Sequence, residues 1–269
     1  MKFGFVMPPD DAETAVTYAV EAEQAGWDAF FLSDGMWCVD AWLCLTAAAM
    51  QTKSIRLGTL LTPLSIMRPW KVAAQAATLD QLSNGRAILS IGMGAVDVGF
   101  AEFGEETDLR TRAELVDEGL EIIHQLWHDN ACAYQGKHYR VDTTALQVHM
   151  PHPVQQPRIP IWVVGAWLRP KSMRRVLRCD GVIPIMKPKG ENSHPCTPND
   201  IRALRAWLEE QHSSSIDIVV EGETPDDDPE KAQAIIQSWA EAGATWWIES
   251  IWDAPDTRLK RLHQGPLLP

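Results

Sequence analysis

Short apolar, often β-branched runs alternate with helix-like segments along the whole chain. KFGFVM, DAFFLS, IRLGTLL, AILSIG, PIWVVG, GVIPI, SIDIVVE and TWWIESI read as strands. Amphipathic segments separate them. Residues 11–25 carry Ala15, Ala19 and Ala22 at helical spacing and end at Gly26. Asp40 caps a helix over 40–51, and Pro69 opens one that runs to about Ser83. Asn84-Gly85 reverses the chain tightly into the fourth strand. Further helices are expected over 112–128, 170–178 and 200–212, the last capped by TPND, and from Asp228-Pro229 to Ala242, stopped by Gly243. A short one ends at Gln264. Eight strand–helix units predict a (β/α)8 TIM barrel, an α/β fold with parallel strands and right-handed crossovers. A doubly wound open sheet uses the same alternation, but eight evenly spaced units with none left over match closure better. Residues 130–158, rich in Pro, His and Gln with a hairpin expected at Gln135-Gly136, form an insertion between helix 4 and strand 5. No composition shift marks a boundary, so one domain over 1–269 is expected.

Composition narrows the function. The chain has 269 residues and 45% hydrophobic content, enough for a large core. Its net charge of −12 disfavours nucleic acid and anionic membrane as partners. No apolar run is long enough to span a bilayer, and the start lacks the features of a signal peptide. Five cysteines, an odd number with no CxxC, argue against a disulfide framework or zinc knuckle and for free thiols in the cytoplasm. His124 and His128 stand four apart on a helix. They fall at its carboxyl end, away from the site of a barrel, and no metal is expected. GxSxG, HExxH and Walker patterns are absent from the sequence.

Several segments together resemble the luciferase-like family of flavin- and F420-dependent oxidoreductases. They are AEQAGWDAFFLSD at 22–34, IRLGTLLTPLSIMRPWKVAAQAATLDQLSNGRAILSIGMG at 55–94, RAELVDEGLEIIHQLW at 112–127 and PRIPIWVVG at 157–165. The resemblance implies a luciferase-like barrel, FMN or coenzyme F420 as cofactor, and hydride transfer or monooxygenation of a small organic substrate. A separate flavin or F420 reductase and a homodimer are also implied. Family members carry a bulge at the end of strand three, often with a non-proline cis peptide, that props the flavin ring. Thr59, Leu60 and Thr62 match that position. The family also places cofactor phosphate near the loop after strand five, which here begins at Gly165, Ala166 and Trp167.

Barrel enzymes build their sites at the carboxyl ends of the strands, which selects the remaining candidates. Gly92 and Gly94 follow strand four. They do not make a dinucleotide fingerprint, because Asp97 replaces its third Gly, but small residues there let a flat ring approach the backbone or simply turn the chain. Arg169, Lys171, Arg174 and Arg175 after strand five, and Lys187 and Lys189 after strand six, suit a phosphate. The acidic loop Asp226–Asp228 after strand seven does not. Trp37, Trp167 and Trp252 fall where aromatic pocket walls would stand. Asp34 ends strand two. Some F420-dependent relatives follow this Asp with a catalytic His, whereas here the next residue is Gly35. Asp34 and His194 are the remaining acid–base candidates. A flavin-binding protein without catalysis is the alternative reading. A metal-dependent barrel hydrolase is disfavoured, because no HxH follows the first strand.

Overall fold

The structure is a computed structural model that describes residues 1–8, 11–129, 131–146, 151–186, 195–213, 215–252 and 254–267. Eight parallel strands close on themselves: β1 (Lys2–Met7), β2 (Ala29–Leu32), β3 (Arg56–Pro63), β4 (Ala87–Gly92), β7 (Ile161–Ala166), β8 (Gly181–Ile185), β9 (Asp217–Gly222) and β10 (Trp246–Ser250). The first strand pairs with both the second and the last, Lys2 with Trp246 and Gly4 with Ala29, so the sheet has no edge and the open-sheet alternative falls. The expected insertion holds a small antiparallel hairpin, β5 (Ala133–Gln135) and β6 (Arg140–Asp142), between α4 (Leu109–Asp129) and β7.

Period-two alternation splits the core into two shells. Val6, Phe31, Leu60, Ile88, Trp162, Ile183, Val219, Trp246 and Ile248 fill the lumen. The opposite faces pack against the helices in a larger cluster. Two of the abundant tryptophans are lumen filler, with the Trp162 and Trp246 rings 5.0 Å apart. Their bulk requires small neighbours. A Cβ on Gly181 would lie 2.3 Å from the Trp162 ring.

The helix signals operate as read. In α2 (Ala41–Gln51) Asp40 accepts from Leu43 N, and α3 (Pro69–Ser83) opens on its proline. Asn84 at φ 57° and Gly85 at φ 81° make the turn into β4. α6 (Pro198–Glu210) starts two residues earlier than expected, because Thr197 is the cap and Asp200 reciprocates in a capping box. α4 begins at Leu109, and α5 (Pro170–Val176) ends two residues early. α7 (Pro229–Ala242) and α8 (Pro255–Gln264) follow β9 and β10. Arg86, at the amino end of β4, donates to the carbonyls of Ala49, Thr52, Ile55 and Ser83 and so ties the bottom of the barrel. The five cysteines are free thiols. Among the described residues no helix is long and apolar enough to cross a membrane.

Candidate active site

The site is built on a defect in β3. Pairing between β3 and β4 shifts register between Thr59 and Thr62, and the Leu60–Leu61 peptide is cis. This is the expected bulge. Leu60 joins the lumen cluster, and Leu61 also turns inward, to the cavity at the mouth. Thr59 and Thr62 are thereby left together behind the strand, with their hydroxyls 2.7 Å apart. Both are fully buried, so they prop the bulge and show no surface to the cavity. The residue that presents itself is Leu61, which the motif does not single out.

Behind the bulge stands Asp34. Its Oδ2 accepts from Thr62 Oγ1 at 3.0 Å and from Trp42 Nε1 at 3.0 Å. With Asp34 ionised, Thr62 spends its proton on the carboxylate and Thr59 must donate to Thr62, so the chain runs from Thr59 to Thr62 to Asp34. Burial pushes the Asp34 carboxyl up from 3.8 to about 6, against the two hydrogen bonds that favour its charge and with help from nearby Asp40.

Above the bulge lies a cavity of about 470 Å³, within the range of small-molecule sites. Leu61 and Pro63 of β3 border it, with Met93 and Gly94 after β4, Phe100 beyond a short 3-10 turn, Val164 of β7 and Ile185 of β8. Asp34 and Gly35 close one side. Apart from Ser33 and Asp34 the walls are apolar, and Phe100 is the one aromatic residue among them. Trp37, Trp167 and Trp252 do not line it. Trp37 is 81% exposed and stacks on Phe103, while Trp167 packs edge-on against Trp207 of α6. Buried Arg112 on α4 fixes one wall by donating to the carbonyls of Met93 and Gly94, with its guanidinium over Phe100.

The glycines divide. A Cβ on Gly92 would meet both δ carbons of Leu61 at 3.0 Å and Val164 at 3.1 Å, so its missing side chain makes room for these two residues, which border the cavity. Gly94 has φ 71°, and a Cβ there would meet Phe100 at 2.6 Å, so it serves the turn. Gly165 faces away from the cavity. Its missing Cβ makes room for Val182 and Val176, and its role is packing between β7 and α5. Ala166 N donates to Ser172 Oγ at 2.9 Å, so this amide is already used. Arg175 is likewise structural, buried against Asp117 Oδ1 at 2.6 Å. His124 is a half-buried helix residue whose pKa burial lowers to about 4. Lys187, Lys189 and His194 lie outside the described residues.

The profile of the luciferase-like monooxygenases matches residues 1–262. The chain belongs to that family. It is 32% identical over 139 residues, 47% of this chain and 41% of the other, to an F420-dependent glucose-6-phosphate dehydrogenase of Amycolatopsis mediterranei. The matched part spans less than half the length of the curated relatives. The barrel superposes on the F420-dependent tetrahydromethanopterin reductase of Methanopyrus kandleri with TM-score 0.78, at 19% identity over 98% of this chain and 96% of that one. It superposes on the oxygenating constituent of 3,6-diketocamphane monooxygenase from Pseudomonas putida, a complex with FMN, with TM-score 0.73, at 16% identity over 98% and 96%. At such identities these structures speak for the fold.

Cofactor fit is judged on the cavity itself. Inward Leu61, seated against Gly92, and the mostly apolar walls suit the apolar face of a planar ring. One carboxyl lies outside every motif of the sequence. Glu221, at the carboxyl end of β9, accepts from Trp252 Nε1 at 3.3 Å. Only the alternation of DIVVEG, which turns every second side chain inward, points to it in the sequence.

Proposed function

We propose that this protein is an oxidoreductase that holds FMN or coenzyme F420 against the β3 bulge. It transfers a hydride to, or oxygenates, a small and largely apolar organic substrate. The observation that carries this reading is the pocket formed where Leu61 turns inward opposite Gly92, beneath walls of Met93, Phe100, Val164 and Ile185. The bound cofactor supplies the redox chemistry. The chain supplies a flat apolar support, the buried Asp34–Thr62–Thr59 brace, and exclusion of water.

The phosphate belongs on the side of the β7 and β8 loops, where Arg169 and Lys171 precede Lys187 and Lys189 in the sequence. A separate flavin or F420 reductase is the partner for an oxygenase role. A homodimer is supported by the apolar outer face of α2, where Leu43 and Met50 are 71% and 67% exposed. Free thiols suit the cytoplasm. Gly35 stands where alcohol-oxidising relatives supply a His. Oxidation of sugar phosphates or simple alcohols is therefore not the activity we assign.

The test is a visible spectrum and a binding isotherm of the purified protein with each cofactor. One of the two binds, and Gly92→Leu, which drives Leu61 and Val164 into the pocket, abolishes binding. Replacing Lys187 and Lys189 with Ala weakens it more at low salt than at high salt. Binding of neither cofactor, or unchanged binding by Gly92→Leu, overturns the reading. Binding without turnover of any substrate would leave a non-catalytic flavin-binding protein.

A further inference from the structure

Strand β9 alternates strictly. Val219 packs in the lumen, and Asp217 accepts from lumen Trp246 Nε1 at 3.2 Å. The next inward position is Glu221, paired in register with lumen residue Ile248. Its backbone therefore delivers the carboxyl to the open, carboxyl-terminal mouth of the barrel, where sites of this fold are built. The parallel register of β8 with β9 starts at Gly181 and Asp217. Ile185, at the carboxyl end of β8, borders the cavity on the side of the barrel next to β9.

The carboxyl is held by neutral groups. Trp252 Nε1 donates at 3.3 Å, and Ser250 of the neighbouring strand, whose hydroxyl donates to the Gly222 carbonyl at 3.3 Å, stands beside it. Trp252 is fixed in turn, because the buried Arg258 guanidinium donates to the carbonyls of Ile251 and Trp252, both at 2.7 Å. Glu221 stays exposed by area, yet the surrounding mouth is close enough for burial to push its pKa above 4.5. Both hold at once for a side chain in a concave rim, open from above and enclosed at its sides. Asp34 differs. Its accepting oxygen is committed to Thr62 and Trp42 behind the bulge.

We propose that Glu221 is the carboxylic acid that exchanges a proton with the substrate, supplied across the mouth from the position left empty at Gly35. The proposal rests on the cavity being the cofactor site. A C=C or C=O bond that takes a hydride on one atom, from a reduced flavin or deazaflavin that is thereby oxidised by two electrons, needs one proton on the other. Glu221 gives that proton and becomes a carboxylate, which solvent reprotonates at the open mouth. A carboxyl held by neutral donors and partly desolvated retains its proton to higher pH, which suits an acid for reduction more than a base for alcohol oxidation.

Two measurements test this, the first without cofactor. In the ¹⁵N indole spectrum, the Trp252 Nε1–H resonance, assigned with Trp252→Phe, moves with pH at a midpoint above 4.5. In Glu221→Gln it stays still. The second uses protein loaded with whichever of FMN and F420 binds, reduced and mixed with a panel of enones and ketones such as 2-cyclohexen-1-one. Glu221→Gln binds the cofactor as the wild type does but reoxidises it about 10²–10⁴-fold more slowly. It also loses the alkaline fall in rate that the wild type shows as Glu221 deprotonates, and Glu221→Asp recovers part of the rate. A static Trp252 resonance in the wild type, wild-type rates in Glu221→Gln, or no turnover of the panel by the wild type each overturns the proposal. Failure of the wild type to bind either cofactor overturns the cofactor-site reading itself.

Discussion

Replacing Asp34 by asparagine isolates the cost of the buried charge behind the bulge. Both donors to this side chain, Thr62 Oγ1 and Trp42 Nε1, reach the same oxygen. An asparagine carbonyl in that place accepts both, so the substitution removes the charge and keeps the hydrogen bonds. Burial raises the Asp34 pKa from 3.8 to about 6. A raised folded-state pKa means that the native chain binds this proton more tightly than the unfolded chain. The stability it contributes is complete below pH 3.8 and is lost as pH rises through about 6. At about 1.4 kcal/mol per pH unit, the loss is about 2–3 kcal/mol once residual solvent contact is allowed for. The substituted amide does not titrate, so Asp34→Asn should gain on the wild type across that window. At pH 8 the advantage over its value at pH 4 is about 4–12 °C in Tm, at about 2–4 °C per kcal/mol for a chain of this size. Thermal unfolding of both proteins from pH 4 to pH 8, followed by tryptophan fluorescence, measures the difference and cancels the other titrating groups. A Tm difference independent of pH, or a variant that falls below the wild type as pH rises, would refute the assignment of a burial-raised carboxyl.

Behind β10, Glu249 and Arg261 are both fully buried and 3.5 Å apart, with Thr224 bonded to both side chains. Arg261→Met leaves a buried carboxylate without its cation and should cost about 3–5 kcal/mol, while Glu249→Leu combined with Arg261→Met recovers much of it. Equilibrium unfolding of the single and double variants checks this. In the lumen, Gly181→Ala pushes a methyl into the Trp162 ring and should cost about 1–3 kcal/mol, read by the same measurement together with near-UV circular dichroism of the displaced tryptophan.

The barrel is legible in the sequence because its signals are local and repeated. Asp40, Thr197 and Asp228 cap helices through their own side chains, and Asn84-Gly85 and Gly243 adopt the left-handed backbone that their residue types favour. The bulge is legible only through resemblance. GTLLTP is a regular strand by periodicity, and which residues turn inward there depends on a register shift against β4. Hence the motif points to Thr59 and Thr62 as ligand contacts, while the residue that faces the cavity is Leu61. The tryptophans mislead for a related reason. Position after a strand places a residue near the mouth without orienting its ring, and Trp37 and Trp167 turn to Phe103 and Trp207. Of the basic residues after β7, Arg175 answers to Asp117 on α4, a partner 58 residues away that no local pattern reveals.

The two carboxyls at the mouth explain how one family can keep its platform and change its chemistry. Asp34 sits where β2 ends and is bonded directly to the residue that closes the β3 bulge, so losing its acceptor oxygen disturbs the bulge. The residue after it is under no such constraint. Gly35 makes no bond to the bulge and borders the cavity, so a proton-transfer group can be lost or gained there without unseating the platform. Around the barrel, β10 and β1 stand between β9 and β2. Glu221, the proposed acid, therefore stands on a different side of the mouth than a residue at position 35 would. Moving the proton source round the rim while the ring stays fixed changes which substrate atom can be protonated relative to the one that receives the hydride. A change of reaction and substrate then needs only new residues at strand ends and can leave the Thr59–Thr62–Asp34 brace in place.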